Sequence, residues 1–503
     1  MAVLGALAVF AGCGFRAALA PASVFRVLVT SSAATRPLAA NFLGLAFEYD
    51  TIPAWVGTGS RPVDPVLVRL IRSLDPAGRP VLRIGGQSTD RTWWPVPGMS
   101  RPLGVSYSLT PAWATSARAL ARSTHARLLL GVNLEANRTR IDRVEAAQLL
   151  KTIGRPYIDA LEVGNEPDLY ALYPWYKRRD GSPLPWYSPV GTPVYSRRPG
   201  YGPAQYEAEL ARTLKVMPRV AIAGPETGAP SWLAAFTQFL SPGSQVRMLT
   251  SHAYGLDQCV TDPSKPRYPS VPHLLSLTAS RGLLAGVAPY VALAHSDGAT
   301  YRIDEMGSIT CNGRARVSDT MASALWVMDA LFSIAQAGID GVNLHTYPNA
   351  VNGLFDFSHS SGQWEGTVHP LYYGALMFAQ AAPAGSRLLR LDTGSQDQLR
   401  VWATLGPDHR VRVLLINDSL SRKAQTLVEV PARFGSRPAS LERLLAPSAY
   451  ATGAITLGGQ SFGATTATGV LPPPVPATVA PRSRTYTVTV PAASAALLTT
   501  APG

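Results

Sequence analysis

"LEVGNEPDLY", residues 161–170, carries an apolar run into an asparagine–glutamate pair and is stopped by Pro167. A buried strand that delivers Asn165 and Glu166 at its carboxyl end holds polar groups on a rigid support. Seven further short runs rich in branched residues flank it: residues 42–50, 80–87, 126–135, 219–226, 247–255, 300–308 and 341–348. Between them lie helical stretches such as "DPVLVRLIRSL" (64–74), "TSARALARSTH" (115–125), "DTMASALWVMDALFSIAQAG" (319–338) and "HPLYYGALMFAQ" (369–380). Eight alternating units predict a (β/α)8 TIM barrel over residues 40–382. A doubly wound open sheet is the rival, but no glycine-rich phosphate loop opens any of these helices.

After about residue 384 the period changes to two. "LRVWATLG", "RVRVLLINDS", "QTLVEVPA", "ASLERLL" and "RTYTVTVP" read as short strands punctuated by proline and glycine, which predicts a C-terminal all-β sandwich over 384–503. "SVFRVLVTSS" (23–32) is stranded ahead of the barrel and is expected to join that sandwich.

The chain has 503 residues, 46% hydrophobic and 15% charged, enough to bury a large core in more than one domain. Its formal charge of +13 comes almost wholly from arginine, since the lysines are Lys151, Lys177, Lys215, Lys265 and Lys423. No compact basic helix or stacking-aromatic motif points to nucleic acid. Residues 1–20 read as an export segment: "AVLGALAVFAG" (2–12) suits a signal core, and "AGC" ending at Cys13 resembles a lipoprotein box. Cleavage after Ala20 is the alternative, and both readings put the chain outside the cytoplasm, with Cys13 the one candidate membrane anchor. No later stretch reads as a transmembrane helix. In an oxidising space Cys259 and Cys311 are expected to form a disulfide, with two buried free thiols as the alternative. No cysteine or histidine lies at zinc-ligand spacing around either one.

Catalytic groups in this fold sit at the carboxyl ends of strands. Here those ends carry Glu48, Gln87, Asn133 and Glu135, Asn165 and Glu166, Glu226, His252 and Tyr254, Asp304 and Glu305, and His345 and Tyr347. Cleavage of a glycosidic bond needs one carboxyl to protonate the leaving oxygen and a second to meet the oxocarbenium-like centre. Glu166 and Glu305, at the ends of strands four and seven, face each other across the mouth and are the expected pair. Asp304 competes for the nucleophile's place but should point away by strand alternation. His252 and His345 lack a third ligand at metal spacing and are expected to be neutral hydrogen-bonding groups; no metal or cofactor is expected. Asn165 is placed to bond a sugar 2-hydroxyl. The insertion 170–202 concentrates aromatic side chains with Lys177, Arg178, Arg179, Arg197 and Arg198, suited to an oligo- or polysaccharide, acidic or neutral.

These strand ends resemble the clan of retaining glycosidases built on this barrel. "RIGGQSTDRTWW" (83–94), "LEVGNEPDLY", "SHAYGLDQC", "RIDEMGSITCNG", "RVSDT" (316–320) and the closing "TYTVTVPAASAALL" resemble family 79 of the glycoside hydrolases, the heparanase and β-glucuronidase group. The resemblance implies a retaining β-glucuronidase with Glu166 as acid/base and Glu305 as nucleophile. It further implies that Glu48, Asn165 and Tyr254 hold the sugar, with Tyr254 steadying the nucleophile and Tyr347 beside it. In that family the loop after the nucleophile grips the uronate through a tyrosine and backbone amides. Here it offers Gly313 but no tyrosine, with Arg314 or Arg316 as substitutes, so a neutral-sugar β-glycosidase is the alternative. A carbohydrate-binding surface protein without catalysis is a third reading, disfavoured by the presence of both glutamates.

Overall fold

The computed structural model describes residues 24–57, 63–76, 78–241, 243–393 and 398–503. Residues 1–20, read above as an expected export segment with Cys13, lie outside the described residues.

Eight parallel strands close into a barrel in chain order: Leu43–Glu48, Val81–Gly85, Arg127–Val132, Ile158–Val163, Ile222–Thr227, Val246–Leu256, Thr300–Ile309 and Gly341–His345. The last pairs with the first, Val342 opposite Leu43. Inside, Val81, Leu129, Ala160 and Ala223 form a small apolar floor. Beside it Arg302 donates to Asn343 Oδ1 (2.5 Å), and Asn343 Nδ2 donates to the carbonyls of Leu45 and Val81 (2.8 Å each). A fully buried guanidinium is tolerated there because its donors find carbonyl and amide oxygens.

The helices start where local chemistry demands. Asp64 accepts from the amide of Val66 (2.8 Å) ahead of Pro65, and Thr110 accepts from the amide of Trp113 (3.2 Å) ahead of Pro111. Side-chain caps with proline at the first helical position set both starts. The second helix therefore begins at Pro111, four residues before the apolar pattern alone suggests. Leu277–Ser296 is long and apolar enough to cross a membrane by composition, contrary to the sequence expectation. It is, however, three short helices, Leu277–Ser280, Arg281–Leu284 and Ala288–Ser296, covering strands six and seven.

The C-terminal strands form one ten-stranded sheet, continuous through Val24–Ala33. That segment runs parallel to Ala424–Glu429 and antiparallel to Arg387–Asp392. Its Val27 and Val29 share a core with Val413 and Leu415 from one half and Val428 and Val488 from the other, so the sheet folds over on itself. Its outer face docks on the barrel through Met321–Gln336, a helix buried along nearly its whole length. Trp402 stacks on Phe332 (centroids 5.3 Å apart, 11° between planes) and donates its indole N–H to Asp329 Oδ1 (2.9 Å). The carbonyls of Ala451 and Ala449 accept from the amides of Met321 and Ala322, which would otherwise be unpaired at the helix start.

Trp402→Ala removes a buried ring, its stacking and one hydrogen bond at this junction. Urea unfolding should show a loss of about 3–5 kcal/mol. A loss under about 1 kcal/mol would mean that the domain docks by other contacts.

Candidate active site

The second strand places Arg83 in the barrel's centre, where it is fully buried. Its Nε donates to Glu162 Oε2 (2.8 Å), Nη1 to Glu305 Oε2 (2.8 Å), and Nη2 to Asn165 Oδ1 (2.9 Å) and Glu226. Asp304 Oδ2 lies 3.5 Å from Nε. Asp304 thus faces the interior together with Glu305, against the expectation from alternation. The reason is a bulge. Ser251 pairs with Ile303 but His252 pairs with Glu305, so Asp304 is the extra residue and both carboxylates turn inward.

Above this cluster the mouth opens into a cleft of about 430 Å³ lined by Glu48, Asn165, Glu166, Tyr254, Glu305 and Tyr347 among others. Glu166 adopts a left-handed backbone (φ +48°), rare for a side chain of this size. Its amide donates to the carbonyl of Glu226 (2.9 Å), and the Leu169 amide donates to its carbonyl (2.8 Å). One oxygen of Glu166, one nitrogen of His252 and one oxygen of Glu305 all lie within 4.8 Å of one another. Tyr254 donates its hydroxyl to Glu305 Oε1 (2.6 Å) and lies 3.0 Å from His345 Nδ1. Glu48 accepts from the amides of Gln87 (3.2 Å) and Ser88 (2.8 Å) and meets His345 Nε2 at 3.2 Å. Gly86 allows this: at φ +68°, an added Cβ would stand 2.3 Å from Glu48 Oε1.

Burial alone would raise the pKa of Glu305. The charges of His345, His252 and Arg83 and the Tyr254 hydrogen bond outweigh it and hold Glu305 well below the usual carboxylate range. Burial likewise opposes the charged form of His252, but Glu305, Asp304 and Glu166 push it up to about 9. His345 is raised by Glu305 and Glu48 against the same burial cost. Both histidines are thus pushed toward the charged form, against the expectation of neutral rings, because the carboxylates that act on them come from other strands. Two triads, Glu166–His252–Glu305 and Glu226–His252–Asp304, converge closely enough to offer metal ligands. The third ligand that the sequence lacks at metal spacing is thus supplied in space, while Arg83 already faces Glu226 and Glu305 with positive charge.

Several expected groups stand elsewhere. The Gly313 amide donates to the carbonyl of Thr310 (3.2 Å), closing a turn in place of meeting a ligand. Arg314 covers the Tyr268 ring (5.6 Å), and neither it nor Arg316 lines the cleft. Tyr347 donates to Asn312 Oδ1 (3.0 Å) at the rim. Cys259 and Cys311 are exposed free thiols, which corrects the expected disulfide. The two loops are tied instead by Thr310, whose hydroxyl donates to Asp257 Oδ1 (3.0 Å) and accepts from the Gln258 amide (3.0 Å). In the insertion, Arg197 is buried against Glu209 (2.8 Å), Arg178 meets the Tyr176 hydroxyl (3.2 Å), and Lys177 bonds the Ser188 carbonyl. Its aromatic Tyr173 and Trp186 do reach the cleft. Glu226 is sequestered with Arg83, and Asn133 bonds the carbonyls of Asp90 and Thr92 (2.9 and 2.7 Å).

Sequence reasoning missed Arg83, masked inside an apolar run, and Asp90. Asp90 accepts from the amides of Leu134, Glu135 and Asn165 (2.9, 3.0 and 2.9 Å) and from the Tyr170 hydroxyl (2.7 Å), locking the ends of strands three and four together.

His252 titrates near pH 9 here against an ordinary value of about 6.5. Its stabilising charge is therefore complete below about pH 6.5 and lost as pH rises through about 9. His252→Gln should flatten the fall of Tm between neutral and alkaline pH and move the acid limb of kcat/KM upward, since Glu305 loses a neighbouring cation. An unmoved limb would separate His252 from the ionisation of Glu305.

Residues 401–497 match the family described as the glycosyl hydrolase family 79 C-terminal beta domain. No curated protein sequence matches the chain. Among solved structures it is similar to a 4-O-α-L-rhamnosyl-β-D-glucuronidase from Fusarium oxysporum 12S, at 17% identity and TM-score 0.65, covering 95% of this chain and 100% of that one. It is also similar to a GH51 arabinofuranosidase from Xanthomonas axonopodis pv. citri, at 13% identity and TM-score 0.64, with 95% and 100% covered. At such identities the likeness establishes the shared barrel and β domain. The family match thus covers the C-terminal β domain, residues 401–497, and the likeness to solved glycosidases covers the shape of the barrel and that domain together.

Proposed function

We propose that the chain hydrolyses β-linked uronides in glycans by double displacement, with Glu305 as nucleophile and Glu166 as acid/base. The observation that carries this reading is that one histidine nitrogen bridges the two carboxyls: His252 Nδ1 lies 3.0 Å from Glu166 Oε1 and 3.8 Å from Glu305 Oε1, which supports the close spacing of a retaining pair. Retaining enzymes hold the pair at about 5–5.5 Å, whereas inverting ones leave room for water at about 6.5–9.5 Å. Glu305, kept ionised by His345, His252 and Arg83, suits attack on the anomeric carbon. Glu166 is the more open of the two, its side chain 27% exposed against 8%, where a leaving group departs and water enters. Tyr254 fixes the orientation of the nucleophile, and Glu48 and Asn165 meet sugar hydroxyls. The Fusarium structure acts, by its description, on a β-D-glucuronide, which favours a uronate here. The occupied Gly313 amide and the lack of a tyrosine in that loop favour the second reading, a neutral β-glycoside. The apolar residues 2–12 support export, with Cys13 or Ala20 setting the mature end.

Glu305→Ala should abolish turnover of aryl β-glucuronide and aryl β-glucoside alike. Glu166→Ala should lose roughly 10²–10⁴-fold on poor leaving groups, spare activated ones, and recover with azide as a β-glycosyl azide. Proton NMR of the first-formed sugar tests retention. Wild-type rates in Glu305→Ala, or an inverted first product, would overturn the mechanism.

A further inference from the structure

The wall of the cleft formed after strand two carries a cation that the hydrolytic chemistry leaves unused. Arg91 closes the turn Gly86–Arg91 and lines the cleft with Trp186. Its Nη1 donates to the carbonyl of Gln87 (2.9 Å), and its guanidinium carbon stands 5.4 Å from the centre of the Trp186 ring. Its Nε is buried and has no hydrogen-bond partner. Among the described residues no ion pair includes Arg91, although Glu48 and Glu135 line the same cleft.

This arrangement differs from that of the buried arginines Arg83, Arg197 and Arg302. Arg83 is surrounded by carboxylates, Arg197 is paired with Glu209, and Arg302 with Asn343. A buried N–H of a guanidinium left without a partner loses solvation that an incoming anion can restore, and the planar fork matches a carboxylate. Glu135, Asp90 and Glu48 act on it through space, but none of them forms an ion pair with it. Burial and the charge of Asp90 push Glu135 up to about 8, so it holds a proton at neutral pH, with the Ser196 hydroxyl donating to Oε1 (2.8 Å). The Trp186 ring beside the guanidinium supplies an apolar face of the kind that stacks on sugar rings.

We propose that Arg91, framed by Trp186, is the group that receives the carboxylate of a uronosyl residue of the substrate. This rests on the glycan-cleaving reading of the cleft, and it moves the anion contact from the loop after strand seven to the turn after strand two.

Calorimetric binding of methyl β-glucuronide and methyl β-glucoside to the full chain tests it without needing turnover. In Arg91→Gln the glucuronide should weaken at least about tenfold while the glucoside stays within about twofold, and Arg91→Lys should fall between. In the wild type, rising salt should weaken the glucuronide and leave the glucoside unchanged. Equal affinity of Arg91→Gln and wild type for the glucuronide would overturn the assignment, as would parallel loss of both sugars or failure of the wild type to bind the glucuronide. If Arg91→Gln does not fold, Arg91→Lys and the salt dependence decide, and a salt-insensitive glucuronide affinity overturns it. Hydrolysis is scored separately, so a neutral-sugar glycosidase that ignores uronates would sink the role of Arg91 and leave the two-glutamate mechanism standing.

Discussion

One guanidinium makes the rest of the site possible. Arg83 meets Glu162, Glu226, Asp304 and Glu305 in a space closed to water. Carboxylates so placed cannot all ionise, and protons distribute by depth. Burial pushes Glu162 up to about 7 and Glu226 well above its ordinary range. Glu305, at the rim of the cluster, also sees His345, His252 and the Tyr254 hydroxyl, which together hold it well below the usual carboxylate range. The same residue that anchors the interior therefore divides it into a protonated depth and a charged mouth.

That division explains which parts of the molecule were legible in the sequence. Eight apolar runs and the helices between them follow from side-chain periods, and each run overlaps one barrel strand. The strand-end positions likewise follow from the fold, so Glu48, Asn165, Glu166, Tyr254, Glu305 and Tyr347 could be expected at one mouth. What alternation could not give is the inward turn of Asp304, because a bulge is a departure from the period that reveals the strand. Arg83 was hidden for a related reason: within "VLRIGG" it reads as one polar interruption in an apolar run, and its partners lie on four other strands. The histidine charges and the link between the loops of Cys259 and Cys311 also depend on neighbours distant in the chain. Thr310 and Asp257 have no pattern that announces a hydrogen bond.

The positive balance of the composition acquires a partial account from the same structure. Many arginines here serve as multiple donors to backbone carbonyls: Arg118 bonds Ile153 and Thr152, Arg127 bonds Pro156 and Ile158, and Arg302 bonds Asn41. A planar fork can close several loop ends at once, which lysine does less well. The formal excess of positive charge is thus in part structural stitching, to which Arg197 and Lys177 of the 170–202 insertion also contribute.

The position of Val24–Ala33 has a consequence for how the chain reaches its native state. This strand lies in the interior of the C-terminal sheet, yet both of its partners, Arg387–Asp392 and Ala424–Glu429, are made only after the whole barrel. Roughly 350 residues separate it from the first of them, which at about 5–20 residues per second is on the order of 20–70 s of synthesis. Throughout that interval the strand exists without a sheet, its Val27 and Val29 exposed. The barrel can close first, but the β domain cannot complete its core until the two ends of the chain meet.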